Sequence, residues 1–148
     1  MAEIKALDQA GLDFLANEEG LRLSPYLDSV GIPTIGIGMT YYPDTGKRVT
    51  LKDPKLTKEQ AQEMFKQIVI PYETAVWSVT RDDINQNQFN ALVSLSYNIG
   101  VNGFKGSTVV KRLNKNPQDP TIAKAFEMWK KPIVLLGRRK REAKLYFS

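Results

Sequence analysis

The sequence predicts an α+β fold, in which a mostly helical body accompanies a small lobe built on an antiparallel β-hairpin. Apolar residues recur at helical spacing from residue 57 onward, and a glycine-rich stretch at 20–38 places short strand-forming runs on both sides of a turn. A chain of 148 residues, 42% of them hydrophobic, is long enough for one core. We therefore expect a single domain, 1–148, with a β-containing lobe at about 20–56 and a helical body at 57–148.

A short helix is predicted near the N-terminus. Asp8 is a favourable N-cap, and Gly20 can adopt the left-handed conformation that ends many helices. Glu18 and Glu19 then occupy the last turn, where the helix dipole disfavours a negative charge. Their presence there suggests that a requirement other than helix stability selects an acid at this position.

The hairpin is predicted from two short strands and the turn between them. Residues 26–27 form the first strand, residues 28–31 the turn, and residues 33–38 the returning strand. A third short strand is expected at 47–50, after a second turn-rich loop. Two glycines inside the returning strand indicate a bulge, or a close approach of another group to the backbone.

The helical body is predicted from its caps and apolar faces. Pro71 should divide the first long helix, and a basic helix from about residue 136 to 146 should end the chain. The strongest helix should end at Gly100 and carry its apolar residues on one side. The predicted N-caps are Thr57, which forms a capping box with Gln60, and Asn85, Ser107 and Asp119.

The composition excludes several classes of chemistry. The chain has no cysteine, which excludes disulfides and thiolate zinc sites, and no histidine, which excludes Ser–His and Cys–His nucleophilic schemes. No apolar run approaches the roughly 18 residues of a membrane span, and the N-terminal residues lack the apolar core of a signal peptide. Acid–base chemistry would therefore rest on Asp, Glu, Lys or Tyr.

Charge is distributed unevenly along the chain. Residues 1–100 hold nine Lys and Arg against thirteen Asp and Glu, whereas residues 101–148 hold twelve against three. The net charges are therefore −4 and +9, and they sum to the overall +5. A basic C-terminal part suits an anionic partner such as nucleic acid, anionic lipid or bacterial wall polymer, and it equally suits a solvated basic face.

The carboxylates around the hairpin suit the cleavage of a glycosidic bond. That reaction needs one carboxyl group to protonate the leaving oxygen and an ionised one to attack the sugar or activate water. Glu19 fits the first role, and Asp28 fits the second because turn amides and solvent stabilise its charge. Thr34, across the predicted hairpin, could hold a water against Asp28. A Glu and an Asp nine positions apart are common, so this spacing alone does not establish catalysis.

The stretch from residue 19 to 38 reads EGLRLSPYLDSVGIPTIGIG. It resembles the phage-type lysozymes, or endolysins, of glycoside hydrolase family 24, whose signature is Glu-Gly, then Tyr-x-Asp, then Gly-x-x-Thr-Ile-Gly-x-Gly. The resemblance extends over most of the chain in the family's order. Its further motifs are QNQFNAL at 86–92, YNIG at 97–100, FKGST at 104–108, then Asn114, Trp129 and the arginine-rich tail.

The resemblance implies a lysozyme-like fold with an active-site cleft between its lobes, and an enzyme that needs no cofactor or metal. It implies cleavage of the β-1,4 bond between N-acetylmuramic acid and N-acetylglucosamine. Glu19 would be the general acid, Asp28 the second carboxylate and Thr34 the water-positioning hydroxyl. For an inverting mechanism we expect the two carboxyl groups to lie about 6.5–9.5 Å apart.

Further site residues follow from the same resemblance. Read from the residues alone, Tyr97 and Phe104 could equally be core aromatics, and Ser107 could be only an N-cap. Glu18 would be a bystander on the helix surface. The predicted substrate-binding residues are Tyr97, Asn98, Phe104 and Ser107.

Two positions depart from the family pattern. Met39 stands where many relatives have histidine, so any electrostatic role of that histidine is lost. In the tail, Arg138 is predicted to pair with Glu19 and orient it, although the register also allows Arg139 or Arg141. The rest of the basic cluster is expected to attract the anionic wall. That cluster comprises Arg139, Lys140, Arg141 and Lys144.

Two other functions compete with hydrolysis. A lytic transglycosylase needs only the acid, because the sugar's own 6-hydroxyl attacks, and it would have no need of Asp28 and Thr34. A non-catalytic wall-binding or membrane-disrupting protein would rely on the basic tail and would not need Glu19 either. The presence of all three residues therefore favours a hydrolase.

The resemblance also implies a biological setting. A phage or prophage lysozyme acts on bacterial peptidoglycan, not on nucleic acid, and does not insert stably into a membrane. Without an export signal it would accumulate in the host cytoplasm and reach the wall through lesions made by a separate holin. A cleft enzyme of this size is expected to be a monomer.

Overall fold

The computed structural model describes residues 3–148, and within them the chain forms eight helices and one two-stranded antiparallel sheet. This confirms the predicted α+β class, mostly helical with a small sheet. No helix in the described range is long and apolar enough to cross a membrane. The elements are α1 (Gln9–Glu19), β1 (Leu21–Leu27), β2 (Pro33–Ile37), α2 (Lys58–Ile68), α3 (Ile70–Val79), α4 (Gln86–Ile99), α5 (Val101–Lys105), α6 (Thr108–Lys115), α7 (Ile122–Glu127) and α8 (Leu135–Tyr146).

The chain divides into two compact units. The hairpin unit spans Leu12–Ile70, and the helical unit combines the residues up to Gly11 with Pro71–Ser148. The helix α2 packs on both strands, which is why it belongs with the hairpin and not, as expected from the sequence, with a helical body starting at 57. That the chain is one catalytic domain stays a prediction.

The strands of the hairpin unit pair around a wide irregularity. Arg22 lies opposite Gly36 and Tyr26 lies opposite Thr34, so three residues of β1 face a single residue of β2. Pro25 lies in this bulge, and because it has no N–H it could not have donated to a regular ladder. The first strand is therefore longer than predicted, and it is bent at its centre.

The predicted third strand at 47–50 is wrong. In the described residues this segment makes only an isolated bridge between Tyr41 and Arg48. The loop is instead organised by Asp53, whose carboxylate accepts hydrogen bonds from the Tyr42 hydroxyl at 2.7 Å and from the backbone N–H of Thr50 at 2.9 Å. The backbone adds the bonds from Tyr42 N–H to the Lys47 carbonyl at 2.8 Å and from Val49 N–H to the Thr40 carbonyl at 2.9 Å, so the segment is a bonded loop and not a strand.

The core of the hairpin unit lies between α2 and the sheet. Thr57 begins α2 with the predicted capping box, in which its hydroxyl accepts from the Gln60 N–H and the Gln60 side chain accepts from the Thr57 N–H. Met39 is 1% exposed, and a Cβ on Gly36 would overlap its terminal methyl group. The methionine that replaces the family's histidine is therefore a packed core residue. Buried around it are Leu15, Ile35, Ile37, Val49, Leu56, Ala61, Phe65 and Ile68.

The helical unit is built around α4. Its N-cap Asn85 forms a capping box with Gln88, and Ser107 caps α6, both as predicted. Residues 88–96 are all buried, so α4 is covered on every side and does not have the single apolar face expected from the sequence. The predicted N-cap Asp119 is displaced, because it binds the Thr121 N–H in a turn and α7 begins only at Ile122.

A buried carboxyl group in α3 predicts a dependence of stability on pH. Burial raises the pKa of Glu73, and its hydrogen bond from the Leu7 N–H at 2.8 Å lowers it less. Because the folded pKa exceeds the unfolded value, the contribution of Glu73 to stability is complete below about pH 4.5 and is lost as the pH rises through the raised value.

We expect Glu73→Gln to retain the acceptor for Leu7 while removing the buried charge. The difference in melting temperature between Glu73→Gln and the unmodified chain should become more favourable to the variant from pH 4 to pH 7. Thermal unfolding at both pH values measures it, with the exposed Glu63→Gln as the control. A difference that stays constant with pH would contradict the prediction.

Candidate active site

Glu19 is the last residue of α1, and the chain turns sharply after it. Gly20 ends the helix with a φ of +81° and donates its N–H to the Ala16 carbonyl at 2.7 Å, as the sequence predicts for a left-handed terminator. The Glu19 side chain lies against the backbone of Gly38, at the end of the returning strand. A Cβ on Gly38 would lie 3.0 Å from Glu19 Oε1. The absence of a side chain at Gly38 therefore provides the space for this carboxyl group.

Asp28 is held by the turn that follows β1. Its Oδ1 accepts the backbone N–H groups of Val30 at 2.9 Å and Ile32 at 2.8 Å. Its own N–H donates to the Ile32 carbonyl at 3.0 Å, and Gly31, with a φ of +82°, closes the turn. Within residues 3–148, Oδ2 has no protein donor. Two backbone bonds thus fix the orientation of the carboxylate while one oxygen stays available.

Thr34 is connected to Asp28 through one backbone carbonyl. Its hydroxyl donates to the Ile32 oxygen at 2.9 Å, and the same oxygen accepts the Asp28 N–H. The hydroxyl proton is therefore already used, and Thr34 Oγ1 can act towards a further molecule as an acceptor. The backbone of Ile32 is a part of this site that the sequence analysis missed, because a backbone role leaves no residue-type signal.

Tyr26 is a half-buried residue of the hairpin whose phenol responds to the charges around it. Burial raises the pKa of the Tyr26 phenol, the Arg22 guanidinium lowers it, and the negative charges of Glu19 and Asp28 each raise it further. Tyr26 also pairs directly with Thr34 across the sheet. Tyr26 thus lies opposite Thr34 on the hairpin and two positions before Asp28 in the chain. The Tyr-x-Asp motif contained the signal for this residue, although the sequence analysis gave it no role.

The contact between Gly38 and Glu19 predicts a selective effect on activity. Gly38→Ala would force an alanine into a left-handed conformation with a φ of +66°, at about 1–2 kcal/mol, and would also push the Glu19 carboxyl group aside. Gly46→Ala is a matched control, since Gly46 has a φ of +73° but nothing lies within 4 Å of its Cβ position. We expect similar losses of stability but a much larger loss of lytic rate for Gly38→Ala.

The comparison needs thermal unfolding and wall lysis measured on the same two preparations. Equal lytic rates for Gly38→Ala and Gly46→Ala would contradict a role of Gly38 in placing Glu19.

The predicted sugar-binding residues lie in the helical unit. Tyr97 is half-buried and meets Tyr72 edge-on at 4.8 Å, and Asn98 is exposed at the end of α4. Phe104 is 0% exposed, and Ser107 is 3% exposed and accepts the Val110 N–H as an N-cap. The last two therefore have clear structural roles. Contact of any of the four with sugar stays a prediction.

The tail arginines form a buried ionic cluster within the helical unit. Glu142 is 0% exposed and lies between Arg138, with Nε to Oε2 at 3.1 Å, and Arg139, with Nε to Oε1 at 2.9 Å. Ser94 donates its hydroxyl to the same carboxylate, and Arg139 Nη2 donates to Asn98 Oδ1 at 2.6 Å.

These contacts correct one prediction about the tail. Arg139 is 0% exposed, so it cannot belong to an exposed basic cluster, whereas Lys140, Arg141 and Lys144 remain exposed. Arg138 is also buried, and it donates to Glu142 and to the Ser94 carbonyl. Its pairing with Glu19 stays a prediction.

A glutamate at a helix end, an aspartate fixed in a turn and a threonine acceptor lie on one hairpin unit, as the sequence predicts for a two-carboxylate glycoside hydrolase, and their catalytic roles stay predictions. Residues 16–144 match the family described as phage lysozyme. The chain belongs to the phage lysozyme family, and it is a glycoside hydrolase that cleaves peptidoglycan.

Known relatives agree with this assignment along the whole chain. The chain is 46% identical to the endolysin of Salmonella phage P22 over 143 residues, which cover 93% of this chain and 95% of the relative. A crystal structure of a P22 lysozyme mutant is 41% identical, with a TM-score of 0.85 over 98% of this chain and 100% of that one. The endolysin of an Escherichia coli phage, FAHEc1, is 35% identical, with a TM-score of 0.91 over 100% and 97%.

Proposed function

We propose that this lysozyme cleaves the β-1,4 bond between N-acetylmuramic acid and N-acetylglucosamine with inversion at the anomeric carbon. Glu19 donates a proton to the glycosidic oxygen, and Asp28 with Thr34 directs a water to the opposite face of the sugar. The observation that carries the proposal is geometric: the Ile32 carbonyl accepts both the Asp28 N–H and the Thr34 hydroxyl, and the Glu19 carboxyl group lies against Gly38 on the same hairpin unit.

The hydrogen bonds around Ile32 explain how a water would be oriented. Asp28 Oδ1 already holds two N–H groups, and the Thr34 hydroxyl proton is already donated, so Asp28 Oδ2 and Thr34 Oγ1 both act as acceptors. A water that donates one proton to each has its lone pairs directed away from both. Asp28 can then take the proton as the water oxygen attacks, which is the general-base role in an inverting glycosidase.

The pleat of the sheet supports placing Asp28 and Thr34 on one face. Tyr26 and Thr34 are direct cross-strand partners, whose side chains share a face. Side chains two positions apart along a strand also share a face, which relates Asp28 to Tyr26. The pairing of Asp28 N–H with the Ile32 carbonyl extends the same register by one more pair.

Glu19 suits the acid role because of where it stands in the chain. It ends α1, and the left-handed turn at Gly20 leads the chain from this residue directly into the hairpin that carries Asp28 and Thr34. The side chain is half-buried and confined by Gly38, which limits the positions from which it can donate. Arg138 is proposed to orient it, and Tyr97, Asn98, Phe104 and Ser107 to bind the sugar chain.

The analysis of early products tests this mechanism. Glycan strands from purified peptidoglycan should yield fragments with an ordinary reducing end, one water heavier than the anhydro ends of a lytic transglycosylase. Proton NMR within the first turnovers should show the α-anomer, because the bond cleaved is β and the centre inverts. An initial β-anomer would indicate retention with Asp28 as nucleophile, and anhydro ends would exclude hydrolysis.

In its biological setting, we propose that the enzyme lyses the bacterial host of a phage or prophage, as the name endolysin states for its relatives. Access to the wall through the lesions of a separate holin, and action as a monomer, belong to the same proposal. Lysis of cells that express the enzyme with and without a holin, and light scattering of the purified protein, test these two points.

A further inference from the structure

Arg22 is a cation on the hairpin, in β1, that the proposed hydrolysis does not use. Its guanidinium carbon lies 4.2 Å from the centre of the Tyr26 ring, the distance of a cation–π contact. The two residues are four positions apart in β1, which in a regular strand would place them about 13 Å apart. The bulge shortens this distance, because Gly36 and Thr34, their partners on β2, are only two residues apart.

The charge of Arg22 is held in place without being neutralised. Arg22 is exposed, and in the described part of the chain no carboxylate lies within ion-pair distance of it. An aromatic ring contacts only the face of a guanidinium, so the N–H groups at its edge stay available to a ligand. A guanidinium fixed in this way matches a planar anion such as a carboxylate, which it can bind through two parallel hydrogen bonds.

The neighbours of Tyr26 indicate which anion would meet Arg22. Tyr26 pairs with Thr34, and Gly36, the partner of Arg22, lies two residues before Gly38, which contacts Glu19. Arg22 therefore lies on the same hairpin as the groups proposed to cleave the glycosidic bond. The muramic acid of peptidoglycan carries a short peptide, whose free carboxylates are the anionic groups attached to the sugar at that bond. The site of cleavage and an available cation are thus adjacent.

We propose that Arg22, positioned by Tyr26, binds a carboxylate of the peptide on the muramic acid next to the scissile bond and is a specificity-determining residue. This inference rests on the proposed function. It distinguishes Arg22 from the exposed lysines of the tail, which would attract the wall without recognising one group on it.

The experiment compares two forms of one substrate. Soluble peptidoglycan strands are used untreated, or with the peptide carboxylates converted to neutral amides by a carbodiimide and ammonia. The unmodified enzyme should show a kcat/KM about fivefold higher on the untreated strands at ~0.15 M salt, the upper value of an exposed charge pair. Arg22→Gln should reduce this ratio to about one, mainly by losing activity on the untreated strands.

Two further variants separate recognition from general effects. Arg48→Gln removes another exposed arginine from the same unit and should leave the ratio as in the unmodified enzyme. Tyr26→Leu removes the aromatic ring and should lower the ratio while Arg22 keeps its charge. The Tyr26 variant also tests the inference if Arg22→Gln fails to fold, which circular dichroism would reveal.

Each possible result either supports or contradicts the proposed role of Arg22. An Arg22→Gln enzyme with an unchanged ratio would overturn it, and so would equal losses on both substrates, because Arg22 would then act on the catalytic groups or the fold. The same loss of ratio in Arg48→Gln would show general charge attraction only. An unmodified enzyme that releases no hydrolysed ends from either substrate would overturn the proposed function, a result distinct from all of these.

Discussion

Glu19→Gln is expected to lower the rate of peptidoglycan hydrolysis by about 10²–10⁴-fold while the protein stays folded. Glutamine has nearly the same shape, so it can occupy the space next to Gly38. Its amide cannot donate a proton to the leaving oxygen, and the loss therefore falls on the chemical step. The measurement is the rate of release of reducing ends, with circular dichroism and thermal unfolding of the same sample.

Glu18→Gln provides the matched control for this substitution. It removes the same charge from the same helix turn, one residue earlier, at a position to which the mechanism assigns no role. Its activity should remain within about twofold of the unmodified enzyme. A folded Glu19→Gln enzyme as active as Glu18→Gln would exclude Glu19 as the general acid.

Glu142→Ala is expected to have the largest effect on stability, about 3–5 kcal/mol. The carboxylate is fully buried between Arg138 and Arg139, whose side chains are 7% and 0% exposed. Alanine would leave two guanidiniums without the charge between them and Ser94 without its acceptor. For a protein of this size the loss corresponds to about 10 °C or more in melting temperature.

Asp83→Ala is the control variant, because it removes the carboxylate of an ion pair that is exposed and not buried. Asp83 also pairs with an arginine, Arg81, at 2.6 Å, but the two side chains are 58% and 36% exposed. Exposed ion pairs contribute about 1 kcal/mol or less, so this variant should unfold within a few degrees of the unmodified protein. A loss for Glu142→Ala no greater than that for Asp83→Ala would show that the buried cluster does not stabilise the fold.

The buried cluster also bears on the predicted active site. Arg139 contacts both Glu142 and Asn98, and Asn98 is one of the residues predicted to bind sugar. The bond to Asn98 Oδ1 fixes the orientation of the amide, so that its NH2 group is directed away from Arg139. Measurement of KM for Glu142→Ala at a temperature where it is folded would show whether the cluster orients this amide.

The sequence by itself determined the features that depend on hydrogen bonds between near neighbours. Asp8, Thr57 with Gln60, and Asn85 with Gln88 cap helices where predicted, because each bond joins residues three positions apart. Gly20 ends α1 because only a residue without a Cβ readily adopts its φ. The predicted α+β class and the assignment as a phage lysozyme were also correct, since the motifs that carry them are local and ordered along the chain.

Only the tertiary structure decided which of these residues are buried and which distant residues meet. Arg139 reads as a surface charge in a basic helix, but its contacts with Glu142 and with Asn98, 41 positions away, place it in the core. The third strand was predicted from residue types that the structure instead uses in a loop bonded to Asp53. Burial depends on packing between residues far apart in sequence, and neither composition nor periodicity records which partners will be present.

The hairpin shows both what the sequence predicts and what only the tertiary structure decides. Its position could be read from the motif, which also predicts its catalytic residues, but the bulge that brings Arg22 over Tyr26 could not be read from it. A proline in a strand indicates that the hydrogen-bond ladder is interrupted. It does not indicate how many residues of its strand will face a single residue of the opposite strand. Both strands pack on α2, and the bulge in β1 places the guanidinium of Arg22 next to the ring of Tyr26.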